Sequence, residues 1–159
     1  MKYNSPVNFD NCIRGMIEED DVNYKNSLPR NYLVFYSQYT PKISIINFIT
    51  SVSLCNIVSK SNIEICKIYC LALLYRLCKI TDFKISWLNC HRLILTMLMI
   101  TSKFLEDDYF CNHKWAKSVG ISVREINNME SVLLKLLDYN VFISMEQIIH
   151  INKSIVLNK

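Results

Sequence analysis

From Thr40 onward apolar residues return every three or four positions, and the returns break at short polar stretches that read as helix boundaries. Ile45, Ile49 and Val52 repeat this way behind Thr40-Pro41, an N-cap followed by proline at the first helical position. Cys66, Cys70, Leu73, Leu74 and Leu77 form a second stripe behind Ser61-Asn62-Ile63-Glu64, which has the form of a capping box, and Lys79 closes it with a cation that suits the helix dipole. A third helix is expected from Ser86 to about Leu105. Leu93, Met97, Ile100 and Phe104 share one side of it, yet Leu95, Leu98 and Met99 are apolar too, and a helix apolar almost all round belongs inside a bundle. The run from Cys111 to Ser118 predicts a two-turn helix stopped at Gly120. Ser122-Val123-Arg124-Glu125 is a further capping box, opening a helix with Ile126, Met129, Leu133, Leu136 and Leu137 on one face. Ser144-Met145-Glu146-Gln147 is the Gln form of the same box and starts a last helix to about Val156. Between Thr40 and Val156 the pattern thus predicts helices joined by short connectors, with only the short 140–143 run as a strand-like stretch.

Residues 1–39 carry no sustained periodicity and include the acidic run Glu18-Glu19-Asp20-Asp21. They are expected to form a partly flexible N-terminal arm, with a short helix near Cys12 to Glu19, ahead of one domain over 40–159. Composition supports an all-α chain: two glycines and three prolines are too few for the turns of an all-β or doubly wound fold. No glycine-rich phosphate loop fits around Gly15 and Gly120. The net charge of +4 is spread along the chain, without the basic stripe of a nucleic-acid binder, so nucleic acid is not the expected partner. The segment MKYNSPVNFDN lacks the apolar centre of a secretory signal, and the apolar run Leu93–Leu105 is shorter than the ~20 residues that cross a membrane. An intracellular protein without membrane contact is expected.

Seven cysteines, an odd number with no CxxC pair, read as reduced thiols, with Cys66, Cys70 and Cys78 acting as small hydrophobes. His91, His113 and His150 are scattered and belong to no metal-ligand ladder. The acids Glu106-Asp107-Asp108 read as a solvated loop close to Lys103. No nucleophile with a base and no paired acids stand out, so neither an enzyme, nor a metal site, nor a cofactor is expected. Lys103, between Ile100 and Phe104, and Glu130, beside Met129, are charges set next to apolar stripes.

Several segments together carry a family resemblance. They are Phe35-x-Ser37-x-x-x-Pro41-x-Ile43-Ser44-Ile45, Leu88-Asn89-Cys90-His91-Arg92-Leu93-Ile94-Leu95-Thr96 and Ser102-Lys103-Phe104-Leu105-Glu106-Asp107-Asp108-Tyr109-Phe110, followed by Trp115-Ala116-Lys117, Gly120-Ile121-Ser122, Glu125-Ile126-Asn127 and Met129-Glu130. In that order and spacing the chain resembles the cyclins, in particular the P/U-type, single-box branch that includes phosphate-responsive cyclins of fungi. The resemblance implies a cyclin box, five helices around a central one, followed here by an extra C-terminal helix. It also implies a regulatory subunit that binds and activates a cyclin-dependent Ser/Thr protein kinase. In the family a Lys on the third helix of the box and a Glu on the fifth grip the kinase near its C-helix. Those positions match Lys103 and Glu130, and the flanking apolar contacts match Ile100, Phe104, Leu134, Tyr139 and Val141. As a water-exposed pair, Lys103 and Glu130 are expected to tolerate charge reversal with a stability change within about 0.5 kcal/mol.

Two departures stand out. Many cyclins join the first two helices of the box by a buried Arg–Asp pair; here Ser51 and Tyr75 take those places, with Arg76 next to the latter. If both pack inside, an arginine at position 51 alone is expected to cost on the order of 3 kcal/mol. No hydrophobic substrate-docking motif and no second box are recognisable. The alternative reading is a cyclin-like helical adaptor of transcription machinery that binds protein or nucleic acid.

Overall fold

A computed structural model describes residues 8–19, 22–55, 57–58 and 62–157 of the chain. Its helices are α1 (Phe9–Met16), α2 (Val22–Ser27), a 3-10 turn (Arg30–Phe35), α3 (Ile45–Leu54), α4 (Ile63–Ile80), α5 (Cys90–Leu105), α6 (Asn112–Val119), α7 (Val123–Leu136) and α8 (Met145–Leu157). Among the described residues there is no strand, only an isolated parallel bridge between Ile17 and Ile85. The all-α expectation holds.

Helix α5 is the axis of the bundle. From Cys90 to Ser102 only Arg92 is not buried, as an all-round apolar helix requires. It packs on α3, α4, α7 and the 3-10 turn, while α6 lies on α7 and α8 on α4. Thus α3 to α7 form the box around α5, and α8 is the additional helix. No described helix is long and apolar enough to cross a membrane.

The stretch before Thr40 joins this core. Phe9, Ile13 and Phe35 are buried, and α1 packs on α3 and α4. Glu18 N–H donates to the Ile85 carbonyl at 2.8 Å, and Lys84 pairs with Glu18 at 3.0 Å. Tyr24 accepts from Lys84 N–H at 2.7 Å and donates to the Asp82 carbonyl at 2.5 Å. The segment therefore stitches down the connector between α4 and α5. The short helix expected near Cys12 begins earlier, at Phe9, where Asn8 accepts from Asn11 N–H.

Two helix starts differ from the pattern-based expectation, because other bonds near each start outweigh the expected cap. Helix α3 begins at Ile45 and not behind Thr40-Pro41. Ser44 caps it by accepting from Asn47 N–H at 3.3 Å, and His91 Nε2 takes the Ile43 carbonyl at 2.9 Å, anchoring the approach to the cap. Helix α5 begins at Cys90, four residues after Ser86. Asn89 donates to the Lys84 carbonyl and accepts from Ser86 N–H, both at 2.9 Å, tying 84–89 into a turn that the helix follows. The box expected at Ser61 lies partly outside the described residues; α4 starts at Ile63, and Asn62 turns its amide to Glu106 Oε1 at 3.1 Å. The other boundaries follow the pattern. Gly120 adopts φ +72°, Ser122 caps α7 by accepting from Glu125 N–H, and Ser144 and Gln147 bond each other's backbone N–H groups reciprocally.

The expectation for Ser51 and Tyr75 is overturned. Ser51 is exposed and donates back to the Phe48 carbonyl at 2.7 Å, while Tyr75 is 48 % exposed. They are not a buried pair stripped of charge, so Ser51→Arg falls among ordinary surface changes. Arg76 instead joins α4 to the α7–α8 connector, donating to the Asn140 and Phe142 carbonyls at 2.6 and 2.8 Å.

His91 carries a pH dependence. It is buried, its Nε2–H donates to a carbonyl, and Nδ1 is therefore the acceptor facing Cys90 Sγ at 3.3 Å. Burial lowers its pKa below the ordinary 6.5, against the opposing bond to Ile43. The unfolded chain then binds a proton that the folded chain refuses. Stability should be fully present above pH 6.5 and decline as pH falls through the lower folded-state value, by up to about 1.4 kcal/mol per pH unit. Urea midpoints from pH 7.5 to 5 should show this slope, and His91→Gln should flatten it. Equal slopes in both proteins would refute the assignment.

Candidate functional site

The two charges set apart in the sequence meet. Lys103, on the last turn of α5, donates to Glu130 Oε1 in the middle of α7 at 2.6 Å. The pair is partly buried, with side chains 23 % and 18 % exposed. This corrects the expectation of a water-exposed pair: a short charge-assisted bond at that depth costs more to reverse than a surface pair. The second carboxylate oxygen, Oε2, accepts from Asn112 Nδ2 at 2.7 Å, and the same amide donates to Asn127 Oδ1 at 2.7 Å. Residues from α5, α6 and α7 thus converge on one acid.

The remaining candidate residues lie at several depths. Phe104 is 45 % exposed and leans on Tyr69, with ring centroids 6.1 Å apart. Tyr69 donates to the Ile143 carbonyl at 3.2 Å, linking the end of α5 to the α7–α8 connector. On that connector Tyr139 is 63 % exposed and Val141 is half-buried. Leu134 is half-buried on α7, one turn after Glu130. Ile100, only 4 % exposed, is part of the core. Among these candidates the ion pair is partly exposed, Phe104 and Tyr139 are exposed, Leu134 and Val141 are half-buried, and Ile100 is not accessible.

Tyr139 reaches its exposed position through an unusual backbone. Asp138 and Tyr139 have φ of +51° and +56°, and Tyr139 N–H donates to the Leu134 carbonyl at 2.7 Å, closing the end of α7. A bulky residue in the left-handed region costs on the order of 1–2 kcal/mol relative to its ordinary conformations.

The acids after α5 separate into two roles. Glu106 accepts from Ser102 Oγ at 2.7 Å and from Asn62, so it is structural, while Asp107 and Asp108 are exposed. None of the three is the ion-pair partner recorded for Lys103, which is Glu130. Asn112 carries no signal in the sequence, and Asn127 enters there only as part of the Glu125-Ile126-Asn127 segment. Its spacing from Glu130, three apart on one helix face, adds to that signal. Among the described residues no group of three or more His, Cys, Asp or Glu side chains is placed to hold a metal.

The cysteines range from buried to exposed thiols. Cys66 and Cys70 are buried, and burial, with Glu106 adding to it, pushes the Cys66 thiol up to about 12; burial raises Cys70 as well. Cys55 and Cys111 are exposed. A thiol reagent at pH 7.5 should therefore label Cys55 and Cys111 quickly and leave Cys66 and Cys70 unlabelled until the chain unfolds, because the thiolate is the reactive form. Denatured protein should titrate all seven cysteines of the sequence. Peptide mapping showing Cys66 or Cys70 modified as fast as Cys55 would contradict this core.

Comparison with known proteins agrees with this architecture. The cyclin family model matches residues 12–141. Cyclin-U3-1 of Arabidopsis thaliana is 33 % identical over 111 residues, 70 % of this chain and 48 % of the relative. PHO85 cyclin-7 of Saccharomyces cerevisiae is 41 % identical over 59 residues, 37 % of this chain and 21 % of the relative. Cyclin-P3-1 of Oryza sativa subsp. japonica is 26 % identical over 133 residues, 84 % of this chain and 55 % of the relative. The chain spans about half the length of the two plant relatives and about a fifth of the yeast one. The match takes in most of α1 and everything from there to the start of the α7–α8 connector, including α5 and the Lys103–Glu130 pair, and on that ground the chain belongs to the cyclin family.

Proposed function

We propose that the chain is the regulatory subunit of a cyclin-dependent Ser/Thr protein kinase and docks through the face that carries Lys103 and Glu130. The observation that carries this reading is the ion pair itself. Its two residues match, by resemblance, the positions that grip the kinase in cyclins, they are 2.6 Å apart, and Phe104, next to Lys103 in the chain, is exposed. Apolar anchors around a fixed charged group are what a docking hot spot requires. The names of the yeast relatives point to a kinase of the PHO85 type as the first to try, and to phosphate signalling as a context.

The subunit acts by differential binding. It docks preferentially onto the kinase conformation with the C-helix rotated inward, in which the β3 Lys meets the C-helix Glu, and shifts the population toward it. Catalysis stays with the kinase, and the work is intracellular. The adaptor reading would want a basic stripe, whereas the net charge of +4 is spread along the sequence.

The test mixes purified chain with inactive cyclin-dependent kinases and measures stoichiometric binding and substrate phosphorylation. One-to-one binding with stimulated phosphorylation by at least one kinase supports the proposal. Absence of binding across the set, with nucleic acid or transcription subunits bound instead, would favour the adaptor.

A further inference from the structure

Helix α6 opens with an asparagine that does not serve its own helix. The cap position is held by Cys111, no side chain bonds the first-turn N–H groups there, and the Asn112 amide reaches across to α7. Both acceptors of its Nδ2 lie on α7: Asn127 Oδ1 and Glu130 Oε2, each at 2.7 Å. Its own oxygen, Oδ1, is buried with no donor among the described residues. A buried acceptor left unmet weighs against folding, so folding stability is a poor reason for an amide here. An apolar side chain of similar volume would remove that liability but leave Glu130 Oε2 without its donor, so what the amide serves is the acid.

The geometry assigns Asn112 as the positioning residue of the docking acid, an assignment that rests on the kinase-docking reading above. Lys103 alone fixes one carboxylate oxygen and leaves the group free to swing about that contact. With Asn112 on the other oxygen, the carboxylate plane is set by two bonds from two helices. Each oxygen keeps a further lone pair, so an N–H donor of the kinase meets an acceptor already oriented. Asn127 holds the amide in turn, which makes Asn127, Asn112 and Glu130 one chain of orientation. The expected gain is in ordering: a carboxylate immobilised before binding loses less freedom when the kinase arrives.

The experiment is a double-mutant cycle read in kinase affinity, with thermal melts alongside. Asn112→Leu keeps the volume and removes the donor, and Asn112→Asp keeps the shape and replaces the donor by an acceptor. Both should weaken kinase binding about tenfold, the scale of couplings within one hydrogen-bond network. Asn112→Leu leaves Glu130 Oε2 without its donor, so it should melt somewhat below the parent, and affinities are compared well below that melting point. In a Glu130→Ala background neither change should weaken binding further, because the residue acts through the acid. Unchanged affinity in Asn112→Asp, or the same tenfold loss with and without Glu130, would overturn the positioning role while leaving the docking reading intact. Full affinity in Glu130→Ala itself would overturn the docking reading and this inference together.

Discussion

Glu130→Lys should weaken kinase binding by roughly 30- to 5,000-fold, the equivalent of about 2–5 kcal/mol for a wrong charge among desolvated groups at an interface. The same change also acts inside the molecule. It faces Lys103 with a second ammonium and makes the Asn112 amide turn its oxygen toward the new donor, out of the arrangement that also served Asn127. Because the pair is partly buried, this should lower stability by about 1–3 kcal/mol, against the near-zero change of a surface pair. Reading affinity and melting temperature together is therefore essential, since a loss of binding without a folded protein says nothing of docking. Calorimetric affinities measured well below the variant's melting point provide the check. Binding equal to the parent's would remove Glu130 from the interface.

Trp115→Ala should be the most damaging single truncation in the bundle, costing about 3–5 kcal/mol. Trp115 is fully buried on α6, so truncation opens a cavity at the contact with α7 that carries Glu130. Its indole Nε1 has no acceptor among the described residues, which gives the prediction a second arm. Trp115→Phe removes that stranded N–H along with part of the ring, so the two terms offset and the cost should be less than half that of alanine. Denaturant midpoints of the two variants check this. If phenylalanine is as harmful as alanine, the indole nitrogen has a partner in solution.

Much of this architecture is written in periodicity. A helix apolar on all sides, Leu93 to Leu105, could lie only at the centre of a bundle, and α5 does. Gly120, Ser122 and the Ser144–Gln147 box mark their boundaries because each satisfies its own backbone locally. Thr40 and Ser86 misled because other bonds decide the starts: Ser44 caps α3 behind a bond from His91 that crosses 48 positions of chain, and Asn89 ties Ser86 into a turn ahead of α5. The burial of Phe9, Ile13 and Phe35 was equally hidden, since so few apolar residues in a polar stretch make no period. At the site, Lys103 and Glu130 were identifiable through the family's motifs, and their contact follows from α5 packing on α7. Asn112 was not, because an asparagine at a helix start looks like a cap and its real partners lie 15 and 18 residues away.

The most direct test of kinase docking is the affinity of the exchanged pair, Lys103→Glu with Glu130→Lys. Exchange restores an ion pair between α5 and α7, and the Asn112 amide can turn its oxygen toward the new ammonium, so the fold should melt close to the parent. Each charge now meets the kinase with its sign inverted. Loss of kinase binding by 30-fold or more in the stably folded double variant is the result expected if the kinase reads these two charges. Parental affinity in that variant would contradict it.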